Sequence, residues 1–181
     1  MAGSRVAAES RDAEFLELTA GRTAQLYRSA CLLTGGDTHL AEDLVQDTLA
    51  RMYTIWRRQN SWLMGHTRIE APGAYAHRVL VRTFLAHRKR RSSAELPVGE
   101  LPETRAQGPD SALRLTLLNA LAQLPPHDRA VLVLRHWEDR SIEETAEVMR
   151  TSPGAVRTRT TRALAKLRLL LGDSLAELAA R

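Results

Sequence analysis

The stretch from residue 141 to residue 171 constrains the fold most, because it carries the local signals of two helices joined by a tight turn. Ser141 and Glu144 have the spacing of a capping box, in which the serine hydroxyl and the glutamate carboxylate bond free backbone amides at a helix start. After a short helix and a turn, Ser152 suits the N-cap of a second helix and Pro153 its first position. This order of signals predicts a helix-turn-helix.

The second helix of that motif is predicted to expose arginine and threonine near its start. Its inward side consists of Val156, Thr160, Ala163, Leu164 and Leu167. The side chains left outward, where a helix-turn-helix meets base edges in the major groove, are Arg157, Thr158, Thr161 and Arg162. The residues that suit flanking phosphates are Ser152, Arg159 and Lys166. A helical hairpin with a basic surface is the alternative.

Net charge by itself does not decide between these two interpretations. The chain carries 26 Lys and Arg residues against 21 Asp and Glu, but a GC-rich genome would also raise its arginine content. The positions are more informative, since residues 150–171 and residues 71–94 each contain six basic side chains and no acidic one. A solvated helix face usually mixes both signs, so these two runs favour binding to nucleic acid.

Cysteine and histidine usage argues against a disulfide, a metal site or a cofactor. Cys31 is the one cysteine, and the six histidines never stand at the i, i+4 spacing that puts two ligands on one helix face. No catalytic nucleophile with its base and no set of metal-binding carboxylates is recognisable, so we expect a protein that is not an enzyme. Because the sequence has no stretch of about 18 apolar residues and no secretory signal, the expected location is the cytoplasm.

The chain divides into two helical blocks, because residues 92–109 are rich in proline, glycine and glutamate and have the composition of a flexible linker. No segment alternates with the period of a strand, so the fold is predicted to be all-α, with two small helical domains. The predicted divisions are a disordered N-terminus at 1–12, a first domain at 13–91, the linker at 92–109, a second domain at 110–171 and a tail at 172–181. The tail either extends the last helix, packs on the second domain or serves a protease.

Two amphipathic helices are predicted in the first block. The inward face of the first helix consists of Ala41, Leu44, Val45, Thr48, Leu49, Met52, Ile55 and Trp56. Its opposite face begins with acidic residues, as expected for a solvated surface at the positive end of the helix dipole. The second helix follows Pro72, runs from Ala74 to about Arg90 and contains the basic run. Its inward side consists of Ala76, Val79, Leu80, Thr83 and His87.

The two blocks together resemble the extracytoplasmic-function sigma factors of bacterial RNA polymerase. The parts of the second block that are similar to the family's region 4 run from Leu124-Pro125 through Ser141–Ala146 and Ser152–Arg159 to Arg162–Arg168. In the first block, the parts that resemble regions 2.2 to 2.4 are Ala41–Leu49 with Trp56, and Pro72–Tyr75 through Arg88–Arg91. Both blocks in this order are more specific than a helix-turn-helix alone, and the arginine-rich second helix is most similar to the actinobacterial SigE-type group.

The resemblance implies an initiation subunit that binds core RNA polymerase and promoter DNA. It would recognise the minus-35 element as duplex through the helix from Pro153 and melt the minus-10 element through region 2. The residues implied to meet the polymerase, at the clamp helices of its β′ subunit, are Asp43, Gln46 and Asp47. The β flap is the other implied contact on the polymerase. Many family members are also held inactive by an anti-sigma factor, although no residue of this chain identifies such a partner.

For the minus-10 element, the resemblance implies a pocket for an unstacked base and a basic track for the displaced strand. The residues implied at the base are Tyr75, Arg82 and Phe84, and those implied on the backbone are Arg78, Arg88 and Lys89. Arg82 departs from the family, which often has asparagine there, and arginine only donates hydrogen bonds whereas asparagine also accepts them. His87 departs from an aromatic residue of the SigE-type group, and it either weakens packing, adds mild pH sensitivity or faces the other domain.

Two other classes of protein are compatible with parts of this pattern. A conventional helix-turn-helix regulator would bind an operator as a dimer, without replacing a sigma factor, and would use the first block for sensing or dimerisation. An RNA-processing enzyme or nuclease would also need basic helices, but no catalytic residues accompany them here.

Overall fold

The computed structural model describes residues 2–59, 71–93 and 109–172, and the structural statements below concern those ranges. The regular secondary structure of those ranges is all helical, which confirms the predicted all-α fold. The helices are α1 (Ala2–Thr34), α2 (Thr38–Gln59), α3 (Pro72–Ser93), α4 (Pro109–Ala122), α5 (Pro126–Leu132), α6 (Ile142–Met149) and α7 (Pro153–Leu171), with a π-helical turn at Val133–Trp137. We refer to α1–α3 as the N-terminal helices and to α4–α7 as the C-terminal helices.

Helix α1 begins at Ala2, so residues 2–12 are helical where the sequence predicted disorder. These residues include three alanines and two arginines, which have high helix propensity. Further along, α1 is held on α2 by aromatic contacts, because the ring of Phe15 lies 5.3 Å from that of Tyr53. The Tyr53 hydroxyl also donates to Asp12 Oδ1 at 2.8 Å. Propensity and these contacts together account for this helix, which the sequence did not predict.

Helices α2 and α3 pack as their periodicity predicts. On α2 the predicted inward residues that are buried are Ala41, Leu44, Val45, Thr48 and Met52, and those that are half-buried are Leu49, Ile55 and Trp56. On α3 the buried ones are Ala76, Leu80 and Thr83, and the half-buried ones are Val79 and His87. The predicted end of α3 near Arg90 is early, since the helix continues to Ser93.

The helix-turn-helix of α6 and α7 has the predicted caps. The amide of Glu144 donates to Ser141 Oγ at 3.0 Å, and the amide of Ser141 donates to the Glu144 carboxylate at 2.8 Å. Arg150 adopts a left-handed conformation, with φ of 53°, that ends α6. Ser152 then caps α7 by accepting from the amide of Ala155 at 3.2 Å. The inward side of α7 contains Val156 and Ala163, both fully buried, as expected.

The π-helical turn that follows α5 is a feature that the sequence did not predict. A π-helical turn accommodates an additional residue and so changes which side chains face the neighbouring helices. Val133 and Leu134 of this turn are buried, and Glu138 directly follows it with its side chain only 3% exposed. The turn thereby directs the end of this helical segment toward the N-terminal helices.

The N-terminal and C-terminal helices share a hydrophobic core. The residues of the C-terminal helices that are buried in the same cluster as the N-terminal core are Ala130, Val133, Leu134 and Val148. The bend after α1 also touches α4 closely: a Cβ at Gly35, where φ is +72°, would lie 2.6 Å from the Cβ of Ala122. The two predicted domains are therefore in intimate contact in this structure.

The predicted linker and tail lie mostly outside the described residues. Within the linker, residues 92 and 93 belong to α3 and Pro109 begins α4, whereas residues 94–108 are not described. Helix α7 ends at Leu171, and Gly172 caps it with φ of +50°. The interpretations of the tail concern residues 173–181, which are also outside the described ranges.

Candidate nucleic-acid interface

Helix α7 brings the predicted base-contacting residues together on one exposed face. Arg157, Thr158, Thr161 and Arg162 occupy positions i, i+1, i+4 and i+5, and all four are exposed. Ser152 and Lys166, predicted at phosphates, are exposed at either end of this set. The face consists of donors and small hydroxyl side chains near the helix N-terminus, which is the part of such a helix that reaches base edges.

Arg159 differs from the other predicted residues of α7, because it is paired with an acidic residue of α5. Its Nη1 lies 2.9 Å from Asp128 Oδ1 on α5, and its side chain is 41% exposed. This ion pair fixes the orientation of α7 on α5. A phosphate would have to share Arg159 with Asp128.

Arg157 is held only loosely. Its Nη2 lies 3.8 Å from Glu143 Oε1 on α6, and both side chains are more than 60% exposed. Exposed pairs of this kind are screened by water and salt and contribute little. Arg157 can therefore exchange this partner for a base at small cost.

The basic face of α3 is engaged by the C-terminal end of α6. Arg78 Nη1 lies 2.7 Å from the carboxylate of Glu147. The Arg82 guanidinium donates to the carbonyl of Val148 at 3.1 Å and to that of Glu147 at 3.0 Å. Burial lowers the pKa of Arg82, and the charges of Arg150 and Arg78 act in the same direction. Two of the residues predicted at the minus-10 element thus bind the chain itself.

The structure separates Phe84 from the other predicted minus-10 residues. Its ring is fully buried in the core, with the Arg129 guanidinium 6.0 Å from its centre, so it is not on the surface where a base could stack. This corrects the expected position of Phe84. Tyr75 is half-buried against the same core, Arg88 is half-buried and Lys89 is exposed. The surface that remains on α3 is formed by arginine, lysine and the edge of one tyrosine.

The predicted polymerase-binding residues form one wall of a groove between α2 and α3. Asp43, Gln46 and Asp47 are exposed on α2, and they line an open cavity of about 460 Å³ together with Thr83 and His87 of α3. Within the described residues, Thr83 Oγ1 and His87 Nδ1 are buried without a hydrogen-bond partner. The groove therefore offers carboxylates at its rim and unsatisfied polar atoms in its wall.

His87 lies in this groove. Burial lowers the pKa of His87, and the charges of Arg91, Arg90 and Arg88 add to the effect. The side chain therefore favours its neutral form in the folded protein.

A buried polar network joins the two sets of helices. His77 Nδ1 lies 2.8 Å from Glu138 Oε1, and these side chains are 6% and 3% exposed. Ser29 of α1 donates its hydroxyl to Glu138 and accepts from Trp137 Nε1 at 3.2 Å. Burial opposes the charge on Glu138, but hydrogen bonds from His77 and Ser29 outweigh it and hold the pKa of this carboxyl below its usual value. Glu138 is thus a buried carboxylate of the C-terminal helices held by two residues of the N-terminal ones.

Arg129 forms the second polar connection between the two sets. It is 2% exposed and donates to the carbonyls of Leu33 at 2.8 Å, Ala122 at 2.7 Å and Leu124 at 3.1 Å. Burial lowers its pKa to about 10, so it stays charged near neutral pH. The carbonyls lie at or just beyond the C-terminal ends of α1 and α4, where helix dipoles favour a cation.

Sequence reasoning missed this network. Ser29, His77 and Glu138 are far apart in the chain, and no spacing rule connects them. Arg129 follows Asp128 in a segment that reads as the exposed start of a helix. The one available signal was the clustering of Trp137 and Glu138 at the end of an apolar stretch.

The described residues also bear on metal binding and membrane insertion. Within 2–59, 71–93 and 109–172 there is no group of three or more His, Cys, Asp or Glu side chains placed to hold a metal ion. None of the helices in those ranges is both long enough and apolar enough to cross a membrane.

Comparison with protein families matches residues 114–167 to the family described as "Sigma-70, region 4". The matched range includes the whole of α6 and most of α7. It therefore contains the exposed Arg and Thr face described above.

Similarity to curated proteins extends over both sets of helices. The chain is 36% identical over 157 residues to the RNA polymerase sigma-E factor of Streptomyces antibioticus, covering 86% of this chain and 83% of that protein. It is 38% identical over 160 residues to the RNA polymerase sigma-E factor of Streptomyces coelicolor, covering 86% and 84%.

A solved structure shares the arrangement of helices. The sigma factor RpoE in complex with the anti-sigma factor NepR, from Bartonella quintana, superposes with a TM-score of 0.62 at 25% identity, covering 87% of this chain and 96% of that one.

Proposed function

We propose a role for each of these surfaces, on the premise that this chain belongs to the extracytoplasmic-function family of bacterial RNA polymerase sigma factors. As a member, it binds core RNA polymerase and directs promoter-specific initiation of transcription. The similarity extends through both α2 and α7, so a dimeric operator-binding regulator is not favoured. The observation that carries the proposal is the exposed Arg and Thr face of α7 within the matched region 4.

Helix α7 is proposed to read the minus-35 element in the major groove. Arg157 and Arg162 are exposed long donors near the start of the helix, and each suits the paired acceptors of a guanine. Thr158 and Thr161 lie beside them and meet bases or phosphates. Ser152 and Lys166 contact the flanking phosphates, which position the helix without reading sequence.

The acidic groove between α2 and α3 is proposed to bind the polymerase. Asp43, Gln46 and Asp47 present carboxylates and an amide at the rim, which suit a basic partner helix such as those of the β′ clamp. Asp47 forms only a weak ion pair with Arg51. Arg51 Nη2 lies 3.7 Å from Asp47 Oδ2, and both side chains are more than half exposed. It is therefore available to a partner.

The basic face of α3 is proposed to engage the minus-10 element. Arg78, Arg82, Arg88 and Lys89 supply cations for the backbone of the displaced strand, and Tyr75 supplies a ring edge. Phosphodiester synthesis belongs to the polymerase, and this chain contributes recognition and strand separation. The weak DNA affinity expected of each small surface is increased when the polymerase holds both at a fixed spacing.

Reconstituted initiation tests the function as a whole. The protein is mixed with core RNA polymerase from a Streptomyces and fragmented genomic DNA, and the 5′ ends of the transcripts are sequenced. We expect starts that share one pair of minus-35 and minus-10 elements. Initiation no better than that of core polymerase alone would refute the sigma function.

A paired charge reversal tests the polymerase-binding surface. Asp43→Arg with Asp47→Arg is expected to abolish core binding and transcription together, because two attractive contacts become repulsive. Glu17→Arg, an exposed acidic residue of α1 away from the groove, is the matched control and should retain both. Lost transcription with unchanged core binding would show that the groove has another role.

A further inference from the structure

The basic face of α3 is already occupied in this structure by the chain's own α6. Arg82 donates to the carbonyls of Glu147 and Val148, and Arg78 pairs with the Glu147 carboxylate. We propose that α6 and minus-10 DNA compete for these two arginines, so that the closed arrangement is a self-inhibited form of the sigma factor. The inference rests on the proposed function, because it uses the assignment of Arg78 and Arg82 to the minus-10 element.

The end of α6 resembles a nucleic-acid backbone in the chemistry that it offers. The last carbonyls of a helix lack intrahelical donors and lie at the negative end of the helix dipole. The Glu147 carboxylate adds a full negative charge beside them. A guanidinium that binds these oxygens uses the same donors that it would direct at a phosphate, so the two partners exclude each other.

The network around Glu138 holds α6 in this position. The π-helical turn places Glu138 between His77 of α3 and Ser29 of α1, and the segment that follows leads into α6 through Asp139, whose φ is 49°. Separation of the two sets of helices would break both contacts of Glu138 and the bond from Trp137 to Ser29. The closed arrangement is thus held by polar contacts at the end of α6 and at its approach, in addition to the shared hydrophobic core and the Arg129 bond to Leu33.

The chemistry of the network suits a reversible contact. A buried charge contributes little net stability, because the cost of removing it from water offsets most of the attraction to its partners. When the two sets separate, Glu138, His77 and Arg82 all regain water. The closed form is therefore favoured without being permanent, and the polymerase, which holds the two DNA-reading surfaces apart, can shift the balance.

The α7 face is free of this competition. Arg157, Thr158, Thr161 and Arg162 are exposed in the closed arrangement. Duplex binding at the minus-35 element therefore serves as an internal control, because opening should change it little.

The test compares the full chain with Glu138→Ala, which removes the hub of the network. Spin labels at Gln25→Cys and Ala165→Cys, in a Cys31→Ser background, report the distance between α1 and α7 by pulsed electron resonance. Fluorescence anisotropy reports binding of the free protein to a single-stranded oligonucleotide of the minus-10 region and to a minus-35 duplex. Glu17→Ala, an exposed glutamate of α1, is the matched control.

We expect Glu138→Ala to lengthen the label distance and to increase minus-10 affinity about tenfold, since apparent affinity rises with the open fraction. Ser29→Ala, which removes one hydrogen bond from the same carboxylate, should give a smaller change in the same direction. Minus-35 binding should be unchanged in both variants, which also reports that α6 and α7 remain folded. The control should match the parent protein in every measurement.

Two results would overturn the inference. An unchanged label distance in Glu138→Ala would mean that the network does not hold the closed form. A longer distance with unchanged minus-10 affinity would mean that α6 does not compete with DNA. Either result leaves the proposed function standing if reconstituted initiation still occurs at the mapped promoters, whereas loss of initiation by the unmutated protein would refute that function directly.

Discussion

The two basic helices of this chain have similar charge and very different surroundings. The runs at 71–94 and 150–171 each contain six basic residues and no acidic one. Helix α7 lies at the edge of the molecule, so its Arg157 and Arg162 are exposed. Helix α3 packs against α1, α2 and α6, so its arginines meet protein. A run of positive charge thus indicates a nucleic-acid surface, but the packing of the helix decides whether that surface is open.

The largest expected effect concerns Arg129, one of the residues that join the C-terminal helices to the N-terminal helices. Arg129→Met removes donors from three carbonyls, and a buried acceptor without a donor costs about 1–3 kcal/mol. We expect the free energy of unfolding to fall by at least about 3 kcal/mol, measured by urea denaturation. Arg51→Met, an exposed arginine of α2, is the control and should change it little. A small loss in Arg129→Met would mean that the shared hydrophobic core and the Glu138 network join the two sets of helices without Arg129.

The next effect concerns the open helix. Arg157→Ala and Arg162→Ala are each expected to reduce the preference for the proper minus-35 sequence by about 1–3 kcal/mol, since a lost bidentate contact removes discrimination at one base pair. The measurement is competitive binding of the polymerase holoenzyme to single-base variants of the element. Arg168→Ala, an exposed arginine one turn from the end of α7, should weaken binding to all sequences alike, if at all. Unaltered sequence preference in both variants would exclude α7 as the reading helix.

A smaller effect is expected at the occupied helix. Arg82→Ala should reduce open-complex formation by the holoenzyme about tenfold, because a hydrogen bond with a charged partner is worth about 1.5 kcal/mol. Arg82→Lys keeps the charge and should recover part of the loss. Permanganate footprinting of the minus-10 region measures the open complex. Equal rates for Arg82→Ala and the parent protein would show that Arg82 serves only the contact with α6.

Local patterns were enough to predict the buried side of α2, the caps of α6 and α7, and the exposed face of α7, but not helix α1 or the π-helical turn. The buried side of α2 and the caps at Ser141 and Ser152 depend on residues within one or two turns, and the structure confirms them. Phe84 shows the opposite case. It lies one turn after Leu80 and is fully buried, but the inward side predicted for α3 did not include it, because the resemblance to the family suggested an exposed ring.

Contacts between distant segments could not be predicted in the same way. The partners of Glu138 are 61 and 109 positions away, at His77 and Ser29. Their meeting depends on a π-helical turn and on the packing of α1, whose start was expected to be disordered. The occupied state of Arg82 follows from that packing, so no local pattern contained it.

The smallest expected effect is the pH dependence of the groove between α2 and α3. Burial and the neighbouring arginines lower the pKa of His87, so between its ordinary value and its value in the folded protein the unfolded chain binds a proton that the folded chain does not. This contribution to stability is complete above about pH 6.5 and is lost as the pH falls through that window.

His87→Gln should make the melting temperature less sensitive to acidification, as measured by calorimetry from neutral to mildly acidic pH. His127→Gln is the matched comparison, since burial also lowers the pKa of His127. The pH dependence of the melting temperature that remains in His87→Gln should be the part that His127→Gln removes. If His87→Gln left the pH dependence of the melting temperature unchanged, His87 would be accessible to protons in the groove. Water, and not a partner protein, would then satisfy its Nδ1.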